Sequence, residues 1–196
     1  MPDIILASAS PRRQEILSLT GLSFKVIPSD FDESGVVQWP PEEHVVQSAT
    51  GKAMDIALRI KEGVVIGADT VVVADNTILG KPFDSKEAIR MLRLLSGRSH
   101  YVYTGLCVIK RCDGRTTQSL QNYVKTEVIF GELTDEIIRA YVATGEPLDK
   151  AGAYGIQEMG SVLVESIVGD YFNVVGLPVY ILARMLSDIG IPLFRK

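Results

Sequence analysis

Short apolar runs and segments of helical periodicity alternate along the chain, and their order predicts most of the secondary structure. The apolar run DIILA at residues 3–7 is typical of a buried strand. Ser10 follows as an N-cap and Pro11 occupies the first helical position, so residues 12–21 are predicted to form a helix that a glycine closes. Residues 23–30 then predict a second strand.

Further segments have the spacing of amphipathic helices. From Pro41 to about Lys61 the apolar residues recur three and four positions apart, and Lys52 lies at the edge of that apolar stripe. Ser85 predicts the N-cap of a helix that Gly97 ends. Two more helices are predicted, over 135–145 after an N-cap at Thr134 and over 177–190.

The remaining apolar runs predict strands. Residues 64–69, VVIGAD, have the continuous apolar character of a buried central strand, and residues 70–80 continue as a hairpin that turns at Asp75-Asn76. Residues 99–130 predict two long antiparallel strands joined by a tight CDGR turn, and residues 160–170 predict another strand. Strands therefore outnumber a simple βα alternation, which favours an α/β protein with a mixed sheet and flanking helices.

Composition narrows the class of protein without identifying it. A chain of 196 residues, 46% of them hydrophobic, suits one domain or two lobes that share a core, and we expect one domain over residues 1–196 with a cleft between two lobes. The net charge of −4 argues against nucleic acid as a partner. Because no stretch reaches the roughly 18 apolar residues of a membrane helix and no leader is evident, we expect a cytoplasmic protein without a membrane partner.

The stretch SASPRRQEIL predicts an anion site. A strand end, a turn of small residues and a helix N-terminus together present free backbone N–H groups and the positive end of the helix dipole. Ser8 and Ser10 add hydroxyl donors, and Arg12 and Arg13 add two guanidinium groups that bind phosphate in a bidentate manner. On the local pattern alone, both arginines also suit a solvated surface.

Asp69 ends the apolar run VVIGAD and is placed by this prediction at the carboxyl end of a central strand, where open α/β sheets bind ligands. A carboxylate there is costly unless a metal ion or a lysine pairs with it. Paired in this way, it suits a general base or a metal ligand, and otherwise a turn-forming aspartate. Asp32 and Glu33 in the loop at 31–35 would complete an oxygen-rich site for Mg²⁺, and on their own pattern they equally suit a solvated loop.

The stretch GEPLDKAGAYGIQEMG at 145–160 predicts a binding loop, since it is rich in glycine and lacks helical or strand periodicity. Gln157 within it is suited to bind a base edge through two hydrogen bonds, and equally suits a surface amide. Lys52 and Lys81 are isolated lysines whose patterns also fit solvated positions.

Six motifs taken together identify a family. LASASPRRQEIL, GADTVVV, GKP, LSGRSHYVYTG, GEPLDKAGAYGIQ and GDYFNVVGLP follow one another between residues 6 and 178. In this order they resemble the Maf family of nucleoside triphosphate pyrophosphatases. The resemblance implies an inosine-triphosphatase-like fold with an elongated mixed sheet, dependence on Mg²⁺ or Mn²⁺, homodimers and a cytoplasmic location.

The resemblance also implies a reaction and a division of roles. A nucleoside triphosphate is cleaved between its α and β phosphates, and Asp69 acts as proton acceptor. Arg12, Thr70 and Gln157 match the branch that acts on dTTP and UTP, as opposed to the branch that acts on 7-methyl-GTP. Glu158 departs from the glycine that many members have. The expected metal ligands are Glu33 and Asp69, and the expected substrate-binding residues are Ser8, Arg12, Arg13, Lys52, Thr70, Lys81 and Gln157.

A protein of another class fits the same motifs. A nucleotide-sensing regulator of cell division would bind the nucleotide with little turnover, in keeping with the family's association with septum formation. Because a pure sensor could dispense with a general base, the presence of Asp69, Glu33 and the lysines favours the enzyme. The enzyme would serve as a house-cleaning hydrolase on pyrimidine nucleotides, including modified ones.

Overall fold

A computed structural model describes residues 2–33 and 39–193, and its elements follow the predicted order. Within those residues the elements are β1 (Ile4–Leu6), α1 (Pro11–Ser18), β2 (Lys25–Val26), α2 (Pro41–Ala57), β3 (Gly63–Ala74), β4 (Thr77–Leu79), α3 (Ser85–Leu95), β5 (Ser99–Cys112), β6 (Arg115–Phe130), α4 (Asp135–Ala143), β7 (Val164–Val168), α5 (Tyr171–Val175) and α6 (Val179–Asp188). Three short 3₁₀ segments span Glu146–Asp149, Ala151–Ala153 and Met159–Leu163. Ser34 and Gly35 of the predicted loop at 31–35 lie outside the described residues.

The seven strands form one mixed sheet, which confirms the predicted fold class. The strand order is β2-β1-β3-β5-β6-β7, with β4 paired to β3. β1 runs parallel to both β2 and β3, whereas β4 and β7 are antiparallel to their partners. Both predicted hairpin turns are present, at Asp75-Asn76 and at Asp113-Gly114, and all four residues have the positive φ angles that tight hairpins require.

The chain divides into two compact units. The first unit comprises Met1–Asp69, Thr104–Val124 and Gly176–Lys196, and the second comprises Thr70–Tyr103 and Lys125–Val175. Each unit has its own apolar core. In the first, α2 contributes its alanines against β1, β3 and β5; in the second, α3 and α4 pack against residues of β3, β5 and β6. The single-domain expectation stays a prediction.

Asp69 does not lie at the end of its strand, so that part of the prediction is wrong. β3 has 12 residues and continues through Asp69 to Ala74. The reason is that Val71, Val72 and Val73 favour extended backbone and no turn residue separates them from Asp69. However, the neighbouring β1 pairs with β3 only from Val64 to Ile66. Asp69 therefore lies beyond the end of β1, although β3 itself continues.

Other predicted boundaries also shift. The N-cap of α3 is Asp84, whose Oδ1 accepts a hydrogen bond of 2.8 Å from the Glu87 amide, and not Ser85. The predicted second strand shortens to Lys25–Val26. Residues 160–163 adopt 3₁₀ geometry before β7 begins, and α5 was not predicted. In the part of the chain that the structure describes, no helix is both long and apolar enough to cross a membrane.

Candidate active site

Lys52 brings two acidic side chains of the first unit together. Its Nζ donates to Asp69 Oδ1 at 2.7 Å and to Glu33 Oε1 at 2.8 Å. The Asp69 side chain is 9% exposed and that of Lys52 14%, whereas that of Glu33 is 50% exposed. The lysine on α2 is thus the partner that a buried carboxylate on β3 requires. Three of the residues predicted for the site are in direct contact.

Arg13 is held on two sides within the same unit. Its Nε donates to the Gly176 carbonyl at 2.9 Å, and its Nη1 donates to Ser8 Oγ at 3.2 Å. Burial lowers the pKa of the Arg13 guanidinium, while the negative charges of Asp69 and Glu33 oppose that shift. The guanidinium remains charged at any physiological pH. A fixed cation therefore lies close to the two carboxylates that Lys52 binds.

The helix that follows β1 begins as the sequence predicts. Ser10 is the N-cap, its hydroxyl accepting from the Arg13 amide at 3.5 Å, and Pro11 occupies the first helical position. The first turn of α1 contains no acidic residue. Arg12 lies near enough to Arg13 for its charge to lower the pKa of Arg13 further. Two cations at the positive end of a helix dipole favour an anion at this position.

His44 is a neighbour of Asp69 that no sequence motif indicated. It lies on α2 two turns before Lys52, and its Nε2 is 3.9 Å from Asp69 Oδ2. That separation is too long for a hydrogen bond, but both side chains are buried. The signal in the sequence was the helical spacing of His44 and Lys52, which places the two on one side of α2.

The donor set fits a magnesium ion that is shared with a phosphate group. Within residues 2–33 and 39–193 there is no group of three or more His, Cys, Asp or Glu side chains arranged to hold a metal ion. Glu33 and Asp69 are nevertheless both within hydrogen-bond distance of one lysine Nζ. Mg²⁺ usually takes one or two carboxylates and completes its octahedron with water and substrate phosphate oxygens. The carboxylate pair suits that type of site.

The remaining predicted residues belong to the second unit. Thr70 follows Asp69 on β3 and is half-buried. Lys81 and Gln157 are exposed, the former shortly after β4 and the latter in the loop between the 3₁₀ segments. The predicted residues thus fall into two groups, with Ser8, Arg12, Arg13, Glu33, Lys52 and Asp69 in the first unit and these three in the second.

Comparison with known proteins identifies the family. The family model described as "Maf-like protein" matches residues 3–189. The chain belongs to the Maf family. A dTTP/UTP pyrophosphatase of Moorella thermoacetica is 47% identical over 196 residues, 100% of both chains. One of Clostridium botulinum is 51% identical over 187 residues, which are 94% of this chain and 98% of that protein.

A solved structure of low sequence identity shares the fold of this Maf protein. A HAM1 protein from Coxiella burnetii superposes with a TM-score of 0.51 at 15% identity, covering 96% of this chain and 100% of that one. At that identity the likeness concerns the fold alone, and it confirms the inosine-triphosphatase-like class. The Maf match at 3–189 includes every predicted site residue, from Ser8 to Gln157.

Proposed function

We propose that this Maf protein hydrolyses dTTP and UTP to the nucleoside monophosphate and pyrophosphate. The observation that carries the proposal is the buried Asp69 carboxylate bound by Lys52, in the same unit as the cationic turn at Ser8–Arg13. The names of the relatives, dTTP/UTP pyrophosphatases at 47% and 51% identity, support the substrate class. The substrate is accordingly a pyrimidine nucleoside triphosphate.

The polyphosphate is held by the cations of the first unit. Ser8 and Gly176 fix the Arg13 guanidinium in one plane, which suits bidentate binding of a phosphate. The amides at the start of α1 and the Arg12 side chain add donors at the same helix terminus. Lys52 neutralises phosphate charge when it turns from Glu33 toward the substrate, since its link to that half-exposed carboxylate is weak.

Asp69 accepts the proton of the attacking water. Lys52 binds Oδ1, so Oδ2 is the oxygen that takes the proton as the water oxygen bonds to the α phosphorus. The bond from the α phosphorus to its bridging oxygen breaks, and pyrophosphate leaves with that oxygen. A divalent ion, Mg²⁺ or Mn²⁺, held by Glu33 and Asp69 supplies charge neutralisation on the phosphates when bound.

Base recognition is assigned to the second unit. Gln157 offers an amide donor and an amide acceptor, which complement the imide edge of uracil and thymine. Thr70 and Lys81 complete the substrate-binding set, Thr70 toward the base and Lys81 toward the phosphates. These three roles follow from the resemblance to the dTTP/UTP branch, as do the homodimer and the cytoplasmic location that we propose for the chain.

The test is incubation with dTTP and Mg²⁺ followed by separation of the products. We expect dTMP and pyrophosphate in equal amounts. Asp69→Asn keeps the shape of the side chain and its contact with Lys52 but removes the base, so kcat should fall by about 10²-fold or more. Asp113→Asn, an exposed position in the β5–β6 turn of the same unit, is the matched control and should retain wild-type turnover.

Two results would contradict the proposal. Tight binding of dTTP without release of dTMP would indicate the nucleotide-sensing regulator. Release of orthophosphate and dTDP would indicate a phosphatase. Full activity of Asp69→Asn with the expected products would support the proposed reaction but would show that Asp69 is not the general base.

A further inference from the structure

Gln157 lies in a segment whose backbone is held on one side by a carboxylate and on the other side by a tyrosine hydroxyl that binds the same carboxylate. Glu146 Oε1 accepts from the Gly160 amide at 3.1 Å, and Oε2 accepts from the Met159 amide at 3.1 Å. Oε1 also accepts from the Tyr141 hydroxyl at 2.9 Å, and that hydroxyl accepts in turn from the Gly155 amide at 3.2 Å. All of these residues lie in the second unit.

The arrangement depends on close approach of the backbone. A Cβ on Gly160 would lie 2.5 Å from Tyr141 Oη and 2.6 Å from the Gly155 carbonyl oxygen, so a larger residue does not fit between them. Tyr141 is buried and stays protonated, because burial and the hydrogen bond to Glu146 raise the pKa of its hydroxyl. The hydroxyl therefore donates to Glu146 throughout the physiological pH range.

The ion pair between Lys150 and Glu158 is a second and weaker contact of the segment. The buried Lys150 Nζ donates to the Glu146 carbonyl and to Asp149 Oδ1, both at 2.9 Å, and lies 3.4 Å from Glu158 Oε2. The Glu158 side chain is 53% exposed, and an ion pair of that kind contributes little. Hydrogen bonds from backbone amides to an ionised carboxylate are the stronger class. Glu146, and not Glu158, is the main anchor of the segment.

We infer that Glu146 and Tyr141 are positioning residues for pyrimidine specificity, because Glu146 fixes the backbone after Gln157 and Tyr141, which donates to Glu146, fixes the backbone before it. The inference rests on the proposed function, in which Gln157 binds the base. A glutamine that must form two hydrogen bonds to a base edge has to be held in place before the substrate arrives. The carboxylate supplies that rigidity through its hydrogen bonds to the Tyr141 hydroxyl and to the Met159 and Gly160 amides.

The test is Glu146→Gln, which keeps the length of the side chain. Its single amide oxygen cannot replace both carboxylate oxygens, so an NH₂ group would face a Tyr141, Met159 or Gly160 donor. We expect the KM for dTTP to rise about tenfold with kcat largely retained, and the preference for dTTP over purine nucleoside triphosphates to fall by a similar factor. Tyr141→Phe should change both quantities in the same direction with a milder effect. Glu87→Gln, on α3 of the same unit, is the control.

A double-mutant cycle separates positioning from general loss of structure. In a Gln157→Ala background, Glu146→Gln should no longer change the base preference, because there is no amide left to position. Amide hydrogen exchange at Met159 and Gly160 should quicken in Glu146→Gln, while exchange in α3 stays unchanged.

The outcomes distinguish this inference from the function on which it rests. An active wild-type enzyme with unchanged KM and base preference in both single variants overturns the positioning role alone. An additional loss of preference from Glu146→Gln in the Gln157→Ala background also overturns it. A wild-type chain that releases no dTMP and pyrophosphate overturns the proposed function and this inference together.

Discussion

At the scale of single residues, Lys52 is the cation that pairs with the buried Asp69 carboxylate. A buried carboxylate without a partner is strongly disfavoured, and the 2.7 Å contact with Lys52 removes most of that penalty. Such pairs are seldom more stable than apolar side chains of the same volume, whereas removing one partner costs about 3 to 5 kcal/mol. Stability therefore does not explain why an ion pair stands at this point of β3. The proposed role of Asp69 as general base gives a reason for the pair instead.

His100 gives a prediction about pH. It is 1% exposed, its Nε2 lies 2.8 Å from the Tyr154 hydroxyl, and burial lowers its pKa to about 4. Between pH 6.5 and 4 the unfolded chain binds a proton at this histidine that the folded chain does not. The free energy of unfolding should thus fall as the pH drops through that window, with about 2 to 3 kcal/mol lost by pH 4.5.

Urea unfolding of the wild type and His100→Gln at pH 7 and pH 4.5 measures this contribution. Other carboxylates also titrate in that range, but they are common to both proteins, so the difference between the two pH dependences isolates His100. We expect the variant to lose less stability on acidification than the wild type. Equal losses of unfolding free energy would mean that His100 takes up a proton in the folded protein as readily as in the unfolded chain.

The residues that the sequence revealed are those whose chemistry is unusual for their position. Asp69 stood out because a carboxylate follows an apolar run, and the cationic turn at Ser8–Arg13 stood out because two arginines start a helix. Lys52 was visible only as a lysine at the edge of an apolar stripe, since its partner lies 17 positions away on β3. No pattern in the sequence distinguished Glu146 from its neighbours in the loop. Its role depends on amides of Met159 and Gly160, and backbone donors have no sequence signature.

At the scale of elements, the approach of α2 to β3 depends on Gly67. A Cβ at that position would lie 2.2 Å from the Ala49 carbonyl oxygen and 2.9 Å from the Ala53 Cβ. Both alanines are fully buried, so neither can move aside. Gly67→Ala should push α2 away from β3 and cost about 3 kcal/mol of unfolding free energy, at the upper end for overpacking. Because Lys52 lies between the two alanines, turnover should fall as well.

Gly80→Ala is the matched control for this substitution. Among the described residues, apart from its two chain neighbours, none has a heavy atom within 4 Å of a Cβ built at Gly80, and we expect the unfolding free energy of Gly80→Ala to stay within about 0.5 kcal/mol of the wild type. Denaturant unfolding and dTTP turnover of both variants provide the measurements. A Gly67→Ala protein as stable and active as the wild type would show that α2 does not need its present distance from β3.

Element boundaries were harder to predict than the elements themselves. For α3, Asp84 and Ser85 are adjacent and both are good N-caps, so only the hydrogen bond to the Glu87 amide distinguishes them. For β3, the predicted end at Asp69 failed because strand pairing on one side stops while the chain continues toward the hairpin. The order and type of the long elements followed from periodicity, which depends on burial and not on pairing.

At the scale of the whole molecule, three strands belong to both units. The division between the units falls at 69/70 within β3, at 103/104 within β5 and at 124/125 within β6. Loss of the hydrogen bonds along one half of a strand weakens those along the other half. Strands that are shared by both units therefore favour cooperative unfolding. We therefore propose that the chain unfolds in one transition, as the single-domain expectation requires.

The variant Asp84→Ala tests whether the chain unfolds in one transition. The variant removes the N-cap of α3 in the second unit and should cost about 1 kcal/mol, while Ser85→Ala at the next position should cost less than half of that. Trp39, the single tryptophan, reports on the first unit, and the buried Tyr141 and Tyr154 report on the second. If unfolding is cooperative, Asp84→Ala shifts the tryptophan fluorescence and tyrosine absorbance midpoints by the same amount. A tyrosine midpoint that moves while the tryptophan midpoint stays would instead show two independently folding domains, because a lost cap in one unit would then leave the other untouched.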